Sequence, residues 1–347
     1  MSNPVKYFVA LALLGLLPLM HGCDTCGFDC SDDNDDDNNA EPASLTLKFS
    51  DAPLEELTAV VIEVSAIEFR RSDAQDIVVD AFTLSTGGVD YQDSPTFKID
   101  LLDYPGILSE DILTDFAIEA DFYNEIFIAI NDGTNDAGDT NMSFVEDIEG
   151  AMLPIIVDGE GLSLPGRQID ADNQAITIEF GLARALRFNA NANTYTLDAE
   201  GVRVVDDSLA PSLSGSVDTD LFDAVDECEG LDEGDDTLWN RVYLYEGTVE
   251  AGNLADVFAG SPEGSEGRVA PFAASPLTLT GGGYEFFFGY LPPGDYTLAF
   301  SCNAERDDAR DFDGVTVPLP DGQIISFTLN NEDNRTCQFT LDDPPTC

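Results

Sequence analysis

From Ser44 onward, apolar side chains recur at every second position in short runs, and each run ends at a cluster of Gly, Pro, Asn or Asp. Leu45, Leu47 and Phe49 alternate with Thr46, Lys48 and Ser50. A period of two sends successive side chains to opposite faces of a strand, so one face can be buried while the other stays wet. Runs of this kind at 60–71, 77–84, 97–102, 125–130, 153–157, 175–180 and 194–205 predict a first set of strands. A second set is predicted at 214–217, 241–245, 277–279, 314–317 and 324–329. Many short strands with such punctuation specify sandwiches.

Three local features refine this pattern. Ile62 and Val64 share one phase, whereas Ile67 and Phe69 are shifted by one residue, which predicts a β-bulge at Ser65 and Ala66. Residues 283–300 read as a hairpin: an aromatic strand, the turn Leu291-Pro292-Pro293-Gly294-Asp295, then Tyr296, Leu298 and Phe300 on one face. Residues 109–116 and 182–188 are the best candidates for short helices.

The polar, Pro- and Gly-containing stretch from Asp206 to Ser214 separates the two strand-rich halves. The predicted fold class is therefore all-β, with two antiparallel β-sandwich domains over 44–207 and 213–340 and a tail over 341–347. A signal peptide and a disordered acidic tether are expected before them.

The 347 residues include 14 Lys+Arg and 68 Asp+Glu, a net charge of −54, while the hydrophobic fraction of 43% is ordinary. Phosphate backbones would repel such a polyanion, which excludes nucleic acid as a partner. Salt screens the self-repulsion, so the acidity fits a protein adapted to a saline exterior.

At the N-terminus, Lys6 is followed by an apolar run over 7–20 that is too short to span a bilayer and has the layout of an export signal. Its end, Leu19-Met20-His21-Gly22-Cys23, resembles the bacterial lipobox. That resemblance implies cleavage after Gly22 and lipidation of Cys23, making 1–22 a signal peptide and placing the protein at the membrane of the cell envelope, with the leaflet open. Two or more acyl chains anchor a protein stably. Residues 23–43 are acidic and almost free of large apolar side chains, a composition that reads as a flexible tether.

Cleavage would also remove His21, the one histidine. Without an imidazole, Ser-His-Asp and Cys-His catalysis and His-ligated zinc lose an essential group. The chain has no G-K-[ST], which excludes a P-loop. A carboxylate pair could still hydrolyse glycosides, but among 68 acidic residues nothing marks two as special. A non-enzyme is expected.

The first half resembles a family of bacterial envelope lipoproteins known as a domain of unknown function. The resemblance rests on Leu45 to Pro53, with Ser50-Asp51-Ala52-Pro53 where the family has T-D-A-P, and on the strand from Val61 to Arg70. Ile99-Asp100-Leu101-Leu102, Tyr195-Thr196-Leu197 and Val202-Arg203-Val204 complete it, over roughly 43–206. The second half, through Leu291-Pro292-Pro293-Gly294-Asp295-Tyr296 and the strand before it, is similar to transthyretin-like or carboxypeptidase-regulatory-like sandwiches. Those modules imply a spacer or binding role, and their carbohydrate-binding-like fold does not by itself transfer an activity.

With Cys23 acylated, Cys26, Cys30, Cys228, Cys302, Cys337 and Cys347 remain, an even number in an exported protein. Disulfides are expected, with Cys228 to Cys302, Cys337 to Cys347 and Cys26 to Cys30 the favoured pairing. Asp132, Asn135, Asp136 and Asp139 offer hard oxygen ligands on a Gly-containing loop that suits Ca²⁺. The acidic loop at 232–236, and Asp307, Asp308, Asp311 and Asp313, do the same. None follows the EF-hand spacing, so a solvated loop is the expected reading and Ca²⁺ the alternative. Trp239, Tyr243, Tyr245, Phe286, Phe288 and Tyr290 read as sandwich core, with a sugar-stacking platform as the rival.

These residues lead us to expect a lipid-anchored envelope protein, without cofactor, that acts as a non-catalytic structural or binding module toward a surface glycan or protein. The alternative is a Ca²⁺-dependent adhesion or glycan-binding surface protein.

Overall fold

A computed structural model of the chain describes residues 42–52, 57–72, 74–82, 95–133, 142–170, 173–222, 225, 226, 228, 229, 240–258, 264–280, 283–304, 307 and 312–347. Its strands in the first half are β1 (Pro42–Ala52), β2 (Leu57–Arg70), β3 (Ile77–Val79), β4 (Phe97–Asp100), β5 (Glu110–Glu119), β6 (Asp121–Ile130) and β7 (Phe144–Asp147). These are followed by β8 (Met152–Val157), β9 (Gly161–Ile169), β10 (Asn173–Gly181), β11 (Leu186–Asn189), β12 (Thr194–Leu197) and β13 (Val202–Asp206). One sheet runs β13-β10-β1-β5 and faces a larger sheet, β11-β12-β8-β7-β2-β6-β9, with β3 and β4 also on β2.

Alternation makes this core. Leu45, Leu47 and Phe49 on β1 and Ile176, Ile178 and Phe180 on β10 are fully buried, together with Val60, Ile62 and Val64 on β2. The Phe49 ring lies 5.3 Å from Phe180 and 6.2 Å from Phe97. The bulge falls where the phase slip predicts it, since the β2–β6 register shifts between Val64 and Ala66.

The second half contains β14 (Ser212–Val217), β15 (Arg241–Glu246), β16 (Ala273–Pro276), β17 (Thr278–Thr280), β18 (Gly283–Phe288), β19 (Gly294–Ser301), β20 (Ile324–Leu329) and β21 (Asn334–Phe339). Two four-stranded sheets, β17-β18-β14-β21 and β16-β15-β19-β20, enclose Leu213, Val242, Leu244, Phe286, Leu298, Phe300 and Phe339. The fold is all-β and built of sandwiches, although β1–β10, β8–β12 and β14–β21 pair in parallel within otherwise antiparallel sheets.

Several segments depart from the sequence reading. Residues 110–119 form β5, not a helix, and β1 supplies their hydrogen-bond partners. Two register shifts on the β1–β5 ladder break the alternation, and that break is what imitates a helical period. Of 182–188 only Leu182–Ala185 forms a helical turn, α1, before the chain extends into β11. The run 194–205 is cut by a 3-10 turn at Ala199–Gly201, which sends β12 and β13 to different sheets. A Cβ at Gly201 would lie 2.2 Å from the Ala185 amide nitrogen, so only glycine fits that crossing. Residues 314–317 form no strand, because the Val315 amide donates to Asp256.

The aromatic hairpin is the largest correction. β18 bonds to β14 and β17, whereas β19 bonds to β15 and β20, so Leu291-Pro292-Pro293 arches from one sheet to the opposing one. The arch lets the apolar faces of both strands meet in one core, which a flat hairpin would set side by side.

Ala40–Cys347 form one compact unit. Within it the halves touch closely: Tyr290 Oη donates to Ile107 O at 3.4 Å, and the Arg203 guanidinium stacks 4.4 Å from the Phe272 ring.

Candidate functional site

Ser50 and Asp51, near the end of β1, lie at this junction. Ser50 Oγ donates to Leu108 O at 2.7 Å, the Asp51 amide donates to Tyr104 O, and the Gly106 amide donates to Asp51 O. The Asp51 side chain is completely buried, and neither of its oxygens makes a hydrogen bond of ordinary geometry. Burial and the nearby Glu179 push its pKa well above the carboxylate range, and the Leu182 amide offsets this only in part. Glu179, one strand away on β10, is also sealed, and burial raises it to about 7 against the pull of Arg203. Arg203 on β13 reaches Glu179 at 3.7 Å, and burial lowers its own pKa. These groups join β1, β10 and β13 to Phe272 of the second sandwich.

A cleft of about 220 Å³ opens beside them, lined by Arg167, Val204, Leu209, Leu291, Pro293 and Asn331 among others. Its charges are engaged with one another. Arg167 Nη1 donates to Val204 O at 3.1 Å, and Nη2 lies 3.4 Å from Asp206 Oδ2. Asp206 also accepts from Ser208 Oγ and Gln174 Nε2, and these bonds hold its pKa low against partial burial.

A second polar cluster lies on the face of β15 turned away from the second core. Asp307 Oδ2 accepts from Arg241 Nη1 at 2.7 Å and from Tyr243 Oη at 2.6 Å, and Oδ1 accepts from the Val257 amide at 2.8 Å. Tyr245 Oη donates to Ala255 O at 2.6 Å. Burial, then the Asp307 charge, raises both tyrosine pKa values well above the usual range. Asp256 beside them accepts from Val315, and burial raises it to about 6.

The predicted residues distribute unevenly. Cys228 pairs with Cys302 and Cys337 with Cys347, as expected. Asp132 follows β6 and is half-buried, while Asn135, Asp136 and Asp139 lie outside the described residues. So do Cys23, Cys26, Cys30, Trp239, the 232–236 loop, Asp308 and Asp311. Asp307, considered above as a Ca²⁺ ligand, is instead consumed by Arg241, Tyr243 and Val257. Tyr243, Tyr245, Phe286 and Phe288 are core residues, and Tyr290 is half-buried. Among the described residues, no group of three or more His, Cys, Asp or Glu is placed to hold a metal ion.

Sequence reasoning missed Asp51, Glu179 and Asp256 as buried acids. A signal was present, since Glu179 and Asp256 each interrupt an apolar run, at Ile176-Thr177-Ile178-Glu179-Phe180 and Leu254-Ala255-Asp256-Val257-Phe258.

Fold and clusters together define a class: a paired β-sandwich protein whose buried ionisable groups join strands, loops and halves. Residues 42–199 match the profile of the family described as "Domain of unknown function (DUF4382)", on the stretch that includes the S-D-A-P strand. No curated protein matches the chain. Among solved structures it is similar to a leucine-rich repeat protein from Bacteroides thetaiotaomicron, at 10% identity and TM-score 0.18, over 87% of this chain and 26% of that one. It is also similar to the TIE protein of Bacillus anthracis, at 8% identity and TM-score 0.17, over 86% and 33%. With the tip fimbrial protein Mfa3 from Porphyromonas gingivalis the identity is 9% and the TM-score 0.21, over 88% and 97%. The chain thus spans 26% and 33% of the length of the first two proteins.

Proposed function

We propose that this chain is a lipid-anchored protein of the cell envelope and serves there as a non-catalytic structural or binding module. One observation carries the non-catalytic part. Asp51, Glu179, Asp256 and Asp307, the acids set in the most unusual surroundings, are each at most 2% exposed and turned toward protein. Acid–base chemistry on a glycoside requires two carboxyls facing substrate across an open gap of roughly 5–10 Å. Sealed acids of this kind support structure instead.

The envelope part is supported by the lipobox-like Leu19 to Cys23 and by two disulfides, which persist in oxidising compartments. The test is metabolic labelling with an alkyne fatty acid followed by membrane fractionation. The expected result is label on the wild type, with Cys23→Ala losing both label and membrane association. A Cys23→Ala protein that keeps its label and stays in the membrane fraction would sink the proposal.

A further inference from the structure

An open sheet edge presents a row of unpaired amides and carbonyls to any extended chain, and proteins blunt such edges with charge, Pro, bulges or brevity. Most described edges of this protein show those devices. β5 carries four carboxylates and a left-handed residue, Asp115 at φ 49°. β9 contains Pro165 and Gly166, and β13 gives its Val204 carbonyl to Arg167 of β9. β3 and β17 span three residues each, and β4, β11 and β16 span four. The Cys337–Cys347 bridge clasps the tail onto β21.

β20 ends the β16-β15-β19-β20 sheet with none of them. Its six residues, Ile324-Ile325-Ser326-Phe327-Thr328-Leu329, include no charge, Pro or Gly, and their register on β19 runs without a shift. The Phe300 amide donates to Gln323 O, so Phe300, Leu298 and Tyr296 turn their backbone groups toward β20, where Gln323, Ile325 and Phe327 answer them. The amides and carbonyls of Ser326 and Thr328 therefore point away from β19. Among the described residues none of these four groups has a hydrogen-bond partner. Both residues are exposed, and Ile325 and Phe327 on the core face are only partly buried.

Carboxylates flank this edge at both ends. Asp321 precedes the strand and Glu332 follows it, and both are exposed. Gln323 Nε2 donates to Thr340 O at 3.1 Å, so the tail turn bearing exposed Asp342 and Asp343 stands at the first end. Arg335, 5.7 Å over the Phe327 ring, is already paired with Asp333 at 3.8 Å. The free backbone groups select an extended chain, and the carboxylates select positive charge at its two ends. A second copy fits poorly. Antiparallel pairing about Ser326 would set Asp321 of each copy beside Glu332 of the other, between chains of net charge −54.

We propose that the free edge of β20 docks an extended segment of a partner protein, β-branched in its middle and basic at its ends, which adds a strand to this sheet. The proposal rests on the binding-module reading above. Its assay does not involve the lipid anchor, so failure of the Cys23 experiment and failure here are distinguishable.

The test is titration of the full chain, in non-ionic detergent and about 0.15 M salt, with a capped peptide of alternating Val and Thr between two pairs of Lys. The peptide should bind and should slow hydrogen exchange at the Ser326 and Thr328 amides. Ser326→Pro removes an outward amide while sparing the β19 ladder, and Thr328→Lys sets a cation against those of the peptide. Each should weaken binding about tenfold with melting unchanged, and Thr328→Lys carries the test alone if Ser326→Pro fails to fold. The same peptide N-methylated throughout its middle keeps its charge but cannot pair, and it should not bind. With Glu in place of Lys, binding should be about tenfold weaker. Unaltered exchange at Ser326 and Thr328, or equal binding of the N-methylated or the Glu-flanked peptide, overturns the proposal. Sedimentation that shows a dimer dissolved by Thr328→Lys would assign the edge to a second copy and overturn it equally.

Discussion

Arg241 Nη1 and Asp307 Oδ2 meet at 2.7 Å although 66 residues separate them, and both side chains are almost wholly buried. The pair ties the loop carrying Asp307 onto β15, and the Tyr243 hydroxyl and Val257 amide complete the carboxylate's partners. Removing one member of such a pair leaves the other buried and uncompensated, at a cost of about 3–5 kcal/mol. Asp307→Asn, which leaves the Arg241 charge buried and unpaired, should therefore lower the urea midpoint far more than Arg241→Met/Asp307→Asn does, since the Asn carbonyl in both variants can still accept from a buried donor. Equal losses in the single and double variants would show that the charge pairing is irrelevant.

Stability should fall as pH rises from 5 to 8. Glu179 and Asp256 have folded pKa values raised to about 7 and about 6 from 4.5 and 3.8, and Asp51 is raised as well. A raised carboxyl pKa means that the folded state prefers the proton. Its contribution is complete below the unfolded pKa and is lost as pH climbs through the folded one. For Glu179 alone this is about 3 kcal/mol at about 1.4 kcal/mol per unit. Asp206 acts oppositely, because its depressed pKa gives stability that disappears as pH falls below the ordinary carboxylate range. The melting temperature should pass through a maximum on the acid side of neutrality, and Glu179→Gln should flatten the decline above it. A melting temperature that climbs steadily from pH 5 to 8 would contradict these buried protons.

The two disulfides should contribute unequally. Cys228–Cys302 closes 74 residues and Cys337–Cys347 closes 10, so loop entropy assigns them about 4 and about 3 kcal/mol. The shorter bridge has a second effect. It holds the tail against β21, where the Gln338 amide donates to Thr346 O and the Thr346 amide donates to Gln338 O. Since β21 ends its sheet, the tail covers an edge that could otherwise pair with another chain. Cys347→Ser should leave most of the stability intact but speed hydrogen exchange at the Gln338 amide. Unchanged exchange there would mean that the edge is protected without the clasp.

Much of the fold was legible where the core alternates. Leu45 to Phe49 and the bulge after Val64 follow directly from period two, whereas the strand from Arg241 is a continuous run buried on both faces and is read from its β-branched and aromatic content. Legibility ended where a glycine or a bulge disturbed that period. β9 lies between the predicted runs at 153–157 and 175–180 because it carries Pro165 and Gly166, residue types depleted in strands, yet it is the outermost strand on β6, and a Cβ at Gly166 would strike Tyr123 O at 1.9 Å. The arch at Leu291-Pro292-Pro293 failed for a different reason: turn chemistry fixes local dihedrals but not the sheet in which the next strand finds its partner. The junction acids were missed because a single Asp or Glu in an apolar run carries no spacing, and only the parallel pairing of β1 with β10 brings Asp51 near Glu179.

The acidic surface makes the last prediction, which also separates the two functional readings. A ligand that binds only the folded chain raises stability by RT ln(1 + [L]/Kd), and does so for that ligand alone. Screening of a net charge of −54 instead depends on ionic strength, because the Debye length shrinks from about 10 Å at 0.1 M to about 3 Å at 1 M for any salt. In the structural-module reading, the melting temperature should rise along an NaCl series and be the same in CaCl₂ and MgCl₂ at matched ionic strength, with EDTA causing no drop. A rise specific to Ca²⁺ would show a cation site on the folded chain, and its loss in Asp132→Asn would assign that site to Asp132 rather than to the other acidic loops. That outcome would favour the Ca²⁺-dependent adhesin, because a structural surface charge has no means of telling one divalent ion from another at equal strength.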